Sequence, residues 1–138
     1  MRPTLPGPVL VVDDTASFAL GVTLTLEELG LEPIVADSAA AALAVLRTRR
    51  VALVLSDFDM PGGNGLELLR ELRLDAPELP FVLWSSAPIA SAVADAARTL
   101  RATVVEKAVG DDLRNLLTLV ASDTWSRDGA SASVSRVA

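Results

Sequence analysis

The feature that most constrains the fold is a regular alternation of short apolar runs with longer stretches of helical periodicity. Five runs are rich in β-branched and aliphatic residues, which is typical of strands buried on both faces of a parallel sheet. We predict strands at Val9–Val12, Pro33–Ala36, Val51–Ser56, Pro80–Trp84 and Ala102–Val105. Because each parallel connection has to cross over, helices must cover both faces of the sheet. The sequence therefore predicts a single-domain, doubly wound α/β fold built from five βα units.

Helices are expected between these strands, and several of their starts carry residues that cap helices. Ser38 precedes an alanine-rich helix, and Asn64 with Glu67 three residues later forms a capping box. Ser86 is predicted to cap the fourth helix. We predict helices from about Thr15 to Leu29, from Ser38 to Thr48, from Asn64 to Leu74, from Ser86 onward, and after Lys107. The last has an inward stripe of Val109, Leu113, Leu116, Leu117 and Val120.

The composition removes several classes of active site. The chain contains no cysteine and no histidine, so disulfides, thiolate or histidine zinc ligands and a histidine general base are excluded. A net charge of −6 disfavours direct binding to nucleic acid. No apolar run could span a membrane, and the proline-rich lead-in at residues 1–7 is not a signal peptide. We expect a cytoplasmic protein with one domain at residues 8–122 and a flexible tail at 123–138.

Polar side chains follow four of the five predicted strands. Asp13 and Asp14 follow the first, Asp57 the third, Ser85 the fourth and Lys107 the fifth. The carboxyl ends of parallel strands meet at one edge, where such folds bind ligands. Clustered carboxylates repel one another, and a hard divalent ion such as Mg²⁺ (or Mn²⁺) relieves that repulsion. An aspartate nucleophile, a metal, an ammonium and a hydroxyl together suit phosphoryl transfer, which requires positioning and charge neutralisation.

Each of these residues also has a structural interpretation, because polar residues commonly end strands and begin helices. Turn chemistry does not require a lysine, however, and Lys107 is the only lysine in a chain that has eleven arginines. The five residues together therefore favour a functional site.

The order of these residues resembles that of the response-regulator receiver family, whose best-known stand-alone member is the chemotaxis regulator. The resemblance covers about residues 8–121, and its Asp-x-x-Met-Pro-x-x-x-Gly pattern is specific. The matching segments are VLVVDD at 9–14, DFDMPGGNG at 57–65, LWSSA at 83–87 and VVEK at 104–107. It implies a flavodoxin-like fold with a parallel sheet of strand order 2-1-3-4-5.

The resemblance also implies a role for each site residue. Asp57 would accept the phosphoryl group, Lys107 would contact it, and Ser85 would turn toward it as a switch. The metal would be held by Asp13, Asp14, Asp57 and the backbone carbonyl of Asp59. Such a protein is not a metabolic enzyme, although it catalyses its own phosphorylation and dephosphorylation. The donor would be a sensor histidine kinase or a histidine phosphotransfer protein, because this chain has no histidine.

Two positions depart from the family pattern. Proline usually follows the lysine, often after a cis peptide, and Ala108 stands there instead. A cis bond before a non-proline residue costs about 3–4 kcal/mol, so we expect a trans peptide. The fifth strand usually carries a Tyr or Phe that moves on activation, and Val104 stands in its place. Trp84 could transmit the change instead, or it could be a plain core residue.

Three functions are compatible with the sequence. The favoured one is a single-domain response regulator that signals to a downstream protein through altered binding, with relay and phosphate sink as variants of it. The alternative is a receiver-like docking or dimerisation module that needs no phosphate, and a homodimer is a possible assembly. The third is a haloacid-dehalogenase-type phosphatase, suggested by Asp57-Phe58-Asp59. Against it, Met60-Pro61 follows where those enzymes have Thr or Val, and Asp13-Asp14 would have no role.

Overall fold

The computed structural model describes residues 4–60 and 63–125 and shows a five-stranded parallel sheet with helices on both faces. The strands are β1 (Val9–Val12), β2 (Pro33–Ala36), β3 (Leu53–Asp57), β4 (Phe81–Ser85) and β5 (Ala102–Glu106), and the helices are α1 (Ala16–Glu28), α2 (Ala39–Thr48), α3 (Gly65–Asp75), α4 (Ser91–Thr99) and α5 (Gly110–Trp125). The strand order is β2-β1-β3-β4-β5, and every neighbouring pair is parallel. The predicted fold class and strand order are confirmed.

Alternate residues of each central strand enter two separate hydrophobic cores, because successive side chains of a strand point to opposite faces. One core lies under α1 and α5 and includes Val9, Val11, Leu53, Leu55, Val82, Trp84, Leu26, Leu113 and Leu117. The other lies under α2, α3 and α4 and includes Leu10, Val12, Val54, Phe81, Leu83, Leu68, Leu69, Leu72 and Ala97. Burial on both faces explains why β1 is entirely apolar and why β3 and β4 are apolar up to the polar residues at their carboxyl ends.

Two of the predicted helix caps are confirmed and one is wrong. The Ser38 hydroxyl accepts a hydrogen bond from the Ala41 N–H, and Asn64 forms the predicted capping box. Ser86 does not cap α4, which begins at Ser91 after the N-cap residue Ala90. Pro88 explains the difference, because the helical region is disfavoured for the residue before a proline, so a helix cannot readily begin at Ala87.

The last helix also begins later than its apolar pattern indicates. α5 starts at Gly110, whose φ is 58°, and Val109 precedes it with 47% of its surface exposed. Val109 is therefore wrongly included in the inward stripe, whereas Leu113, Leu117 and Val120 are buried. α5 continues to Trp125. Residues 126–138 of the predicted tail lie outside the described residues, as do residues 1–3 and 61–62.

The guanidinium of Arg73 joins the ends of α3 and α4. It donates hydrogen bonds of 2.7, 2.9 and 2.8 Å to the backbone carbonyls of Leu100, Ala76 and Leu79. Burial lowers the pKa of Arg73 to about 10, which still leaves it charged at neutral pH.

Among the helices described, none has the length and apolar character needed to cross a membrane.

Candidate functional site

The strand ends bring the predicted site residues together at one edge of the sheet. Asp13 and Asp57 are only 2% and 5% exposed, and Ser85 is also buried. The side chain of Lys107 is 12% exposed, whereas Asp14 lies at the surface. Two carboxylates and an ammonium with so little access to water form an electrostatically strong site, because a low local dielectric strengthens their interactions.

Lys107 lies between the two buried carboxylates. Its Nζ is 2.9 Å from Oδ2 of Asp13 and 3.5 Å from Oδ1 of Asp57. The backbone N–H of Thr15 donates to Oδ1 of Asp13 at 2.8 Å. Apart from this ion pair, no donor among the described residues reaches Oδ2 of Asp13. This buried oxygen therefore keeps a lone pair for a further ligand.

The acidic cluster fits a divalent metal ion. One carboxylate oxygen from each of Asp13, Asp14 and Asp57 lies within 4.8 Å of the other two. Oxygen ligands in this number, without nitrogen or sulfur, suit Mg²⁺ or Mn²⁺. Oδ2 of Asp13 supports the same conclusion, because the Lys107 ammonium is its one neighbour of opposite charge among the described residues and that ammonium is shared with Asp57. Asp59 is exposed two residues after Asp57, and its backbone acts to lower the pKa of the Asp57 carboxyl.

Burial raises the pKa of Asp57 above its ordinary value. The positive charge of Lys107 opposes this effect, and the negative charge of Asp13 adds to it. The effect of desolvation on the pKa of Asp57 therefore outweighs that of the ion pair with Lys107. Ionised Asp57 lowers the stability of the fold unless a cation compensates its charge. A bound divalent cation would remove that cost.

Gly65 lets α3 approach the end of β3. Its N–H donates to the Phe58 carbonyl at 2.9 Å. A Cβ at this position would lie 2.5 Å from both the Asp57 carbonyl oxygen and Cδ1 of Leu83, and 3.1 Å from Oγ of Ser56. Only glycine fits without displacing the backbone of the central strand. The glycine of the Asp-x-x-Met-Pro-x-x-x-Gly pattern therefore has a steric reason in this structure.

A backbone hydrogen bond connects Ser85 and Lys107. The Lys107 N–H donates to the Ser85 carbonyl at 3.0 Å. Oγ of Ser85 accepts from the Ala87 N–H at 3.2 Å, so the hydroxyl hydrogen is not used in that contact. No cis peptide occurs among the described residues, and the expected trans bond before Ala108 is confirmed.

Two other predicted switch positions lie in the cores. Trp84 is fully buried, as the plain core interpretation requires, and Val104 is half-buried against the core under α4. Phe18 is not among the site residues predicted from the sequence. In the structure the Phe18 ring lies against both Trp84 and the Lys107 ammonium. No sequence signal distinguished this residue from other apolar positions of the helix.

The model of the family described as the response regulator receiver domain matches residues 9–120. The chain belongs to the response-regulator receiver family. Receivers of this family are phosphorylated by histidine kinases, act on downstream targets in two-component signalling, and are not metabolic enzymes. The matched range lies inside the domain predicted at residues 8–122.

Curated relatives of this receiver are longer response regulators. The response regulator protein FleR of Pseudomonas aeruginosa is 36% identical over 113 residues, which are 82% of this chain and 24% of FleR. The DNA-binding response regulator MtrA of Mycobacterium tuberculosis is 40% identical over 83 residues, which are 60% of this chain and 36% of MtrA. The receiver thus spans well under half the length of either relative.

Solved receiver structures share the fold. The CheY-like receiver of Methanospirillum hungatei superposes with a TM-score of 0.80 at 22% identity, covering 89% of this chain and 98% of that one. The response regulator TrrA of Thermotoga maritima, solved with Mg²⁺ and BeF, has a TM-score of 0.70 at 26% identity, covering 80% of this chain and 96% of that one.

Proposed function

We propose that this receiver accepts a phosphoryl group on Asp57 in a Mg²⁺-dependent reaction and signals by altered binding to a downstream protein. The observation that carries the proposal is the convergence of the Lys107 ammonium on two buried carboxylates, Asp13 and Asp57, beside the exposed carboxylate of Asp14. The clustered carboxylates repel one another, and this repulsion is relieved when a cation and a phosphoryl group bind. The proposal includes a cytoplasmic location.

Each site residue would have a distinct role in this reaction. Mg²⁺ would be held by Asp13, Asp14, Asp57 and the backbone carbonyl of Asp59. When bound, the ion supplies charge neutralisation for the phosphoryl oxygens. A carboxylate oxygen of Asp57 attacks the phosphorus, and the P–N bond of a donor phosphohistidine breaks as the imidazole leaves. Lys107 pairs with one phosphoryl oxygen, and the free hydroxyl hydrogen of Ser85 is available to another.

The donor in this proposal is a sensor histidine kinase or a histidine phosphotransfer protein. A small acyl phosphate would serve in their place, with a P–O bond breaking and a carboxylate leaving. Hydrolysis of the aspartyl phosphate by the same site would reset the switch. The Mg²⁺ and BeF bound by TrrA support the assignment, because that relative is 26% identical to this chain.

The change on phosphorylation would have to reach a partner without the usual aromatic residue of β5. Val104 and Ala108 stand at the two positions where this chain departs from the family. We propose that Ser85 and Trp84 transmit the change, because they are consecutive at the end of β4 and Ser85 contacts the Lys107 backbone. A docking or dimerisation module that needs no phosphate remains the alternative.

The test is intact-protein mass spectrometry after incubation with acetyl phosphate and Mg²⁺. We expect one added phosphoryl group, which is absent in Asp57→Ala and absent when EDTA removes the metal. Asp59→Asn is the matched control, because it removes an exposed carboxylate next to the site and keeps the backbone carbonyl proposed as a ligand. It should still be phosphorylated, and its phosphate lifetime would show whether the acidic side chain steers the attacking water.

Partner binding then separates the switch from the docking module. A switch binds its downstream partner differently before and after phosphorylation, whereas a docking module binds alike in both forms. An added phosphate that persists in Asp57→Ala would refute Asp57 as the acceptor. The absence of any added mass, together with no response of tryptophan fluorescence to beryllofluoride and Mg²⁺, would favour the docking module.

A further inference from the structure

An aromatic ring forms one wall of the Lys107 site. The Nζ atom of Lys107 lies 4.5 Å from the centroid of the Phe18 ring, over its face. Phe18 belongs to the first turn of α1, whose N-terminal end follows the acidic pair after β1. A cation over an aromatic face within about 6 Å is attracted by the electron-rich face of the ring.

A second aromatic residue holds this ring in place. Phe18 and Trp84 are T-shaped, with ring centroids 5.5 Å apart and an interplanar angle of 75°. Trp84 is fully buried at the end of β4, and Phe18 packs against the same core. The T-shaped arrangement is a favourable geometry for aromatic pairs. The Phe18 ring is therefore fixed relative to the sheet and not merely to its own helix.

The ring has a property that no polar neighbour would share. The ammonium of Lys107 has three N–H donors on a flexible four-carbon stem. Two of its sides face Asp13 and Asp57. The Phe18 face attracts the charge without supplying an acceptor oxygen, so it does not draw the N–H groups away from the carboxylates or from an incoming phosphoryl oxygen.

We propose that Phe18 is a positioning residue for phosphoryl transfer, which holds the Lys107 ammonium between Asp13 and Asp57 through its ring face. This inference rests on the proposed function. It goes beyond that function because it makes the reaction depend on an aromatic ring outside the acidic cluster and the strand ends. Phe18 itself does not touch the phosphoryl group and acts only through Lys107.

The first test compares rates of phosphorylation by acetyl phosphate at saturating Mg²⁺. In Phe18→Leu the maximal rate constant should fall roughly five- to thirty-fold, the range of a partly desolvated cation–π contact. Phe18→Tyr keeps the ring and should restore most of the rate. Phe81→Leu is the matched control, because Phe81 is buried in the opposite core, away from Lys107. A Phe18→Leu rate within twofold of the parent, or an equal loss in Phe81→Leu, would overturn the inference.

A second test varies the ring without changing its shape. Replacing Phe18 with phenylalanines that carry one, two or three ring fluorines weakens the electron-rich face step by step. The logarithm of the maximal rate constant should fall with each added fluorine. A flat series would show that Phe18 acts only as an apolar side chain, and the inference would be wrong.

A third measurement separates a failure of this inference from a failure of the proposed function. Isotope-labelled lysine gives NMR signals from one side chain, because Lys107 is the only lysine in the sequence. Its ε-methylene protons should show an upfield ring-current shift that Phe18→Leu removes. A parent that shows this shift but takes up no phosphate refutes the proposed function and the inference with it. A parent that is phosphorylated, with a Phe18→Leu variant equally fast, refutes the inference alone.

Discussion

Replacement of Gly65 by alanine tests the close contact that places Asp57. The added Cβ would lie 2.5 Å from the Asp57 carbonyl oxygen and 2.5 Å from Cδ1 of Leu83. Ordinary contacts between carbon atoms lie at about 3.5–4.0 Å, so the neighbours would have to move by about 1 Å. The Leu83 side chain can rotate only within a packed core, and the Asp57 carbonyl belongs to the central strand β3.

The cost follows from this overlap. Forcing an extra methyl group into a well-packed site costs about 1–3 kcal/mol, and a backbone neighbour places this case in the upper half of that range. We expect the free energy of unfolding of Gly65→Ala to fall by about 2–3 kcal/mol. That corresponds to a decrease in Tm of roughly 5–12 °C for a domain of this size. Phosphorylation of Asp57 should also slow, because its backbone has to shift.

Urea denaturation followed by circular dichroism measures this change. Gly21→Ala provides the control, because Gly21 lies inside α1 and its nearest described neighbour would be Cγ1 of Val109 at 3.6 Å, an ordinary contact. Alanine is favoured over glycine by about 1 kcal/mol in a helix interior, so Gly21→Ala should stabilise the protein by up to that amount. If Gly65→Ala were as stable as the parent, the steric argument would be wrong.

Three further predictions concern stability. Without Mg²⁺ at neutral pH, Asp57→Asn should melt at a higher temperature than the parent. Burial raises the pKa of Asp57, so the parent loses stability as the pH rises through that raised pKa. The difference in Tm between the two proteins should shrink as the pH falls toward about 4, the ordinary pKa of an aspartate. Scans at several pH values that show a constant difference would contradict this. Arg73→Met should lower the free energy of unfolding by about 2–4 kcal/mol, because four backbone carbonyls lose a charged donor, and Arg73→Lys should recover only part of that loss. Full recovery in chemical denaturation would refute the role of the guanidinium. Asn64→Ala should cost about 1 kcal/mol through loss of the capping box, and an unchanged denaturation midpoint would exclude that contribution.

The sequence by itself determined the sheet and the contents of the site. The apolar runs of β1, β3 and β4 could be recognised because they are short, rich in aliphatic and β-branched residues, and bounded by polar or turn residues, as strands buried on both faces are. Ser38 and Asn64 marked helix starts because capping is a local hydrogen bond between residues close in the chain. Asp13, Asp57, Ser85 and Lys107 could be grouped because parallel strands bring their carboxyl ends to one edge.

Only the tertiary structure decided how these groups contact one another. Lys107 lies closer to Asp13 than to Asp57, and its ammonium faces the Phe18 ring. The contact with Phe18 depends on how α1 is placed relative to Trp84 and Lys107, which are far from it in sequence. The steric reason for Gly65 is also visible only in the structure, because one of its two closest neighbours is Leu83 of β4, which is far from it in the chain. Helix capping and strand patterns depend on residues that are close in the chain, so the sequence shows them. The positions of side chains at the carboxyl edge of the sheet depend on packing across the whole fold.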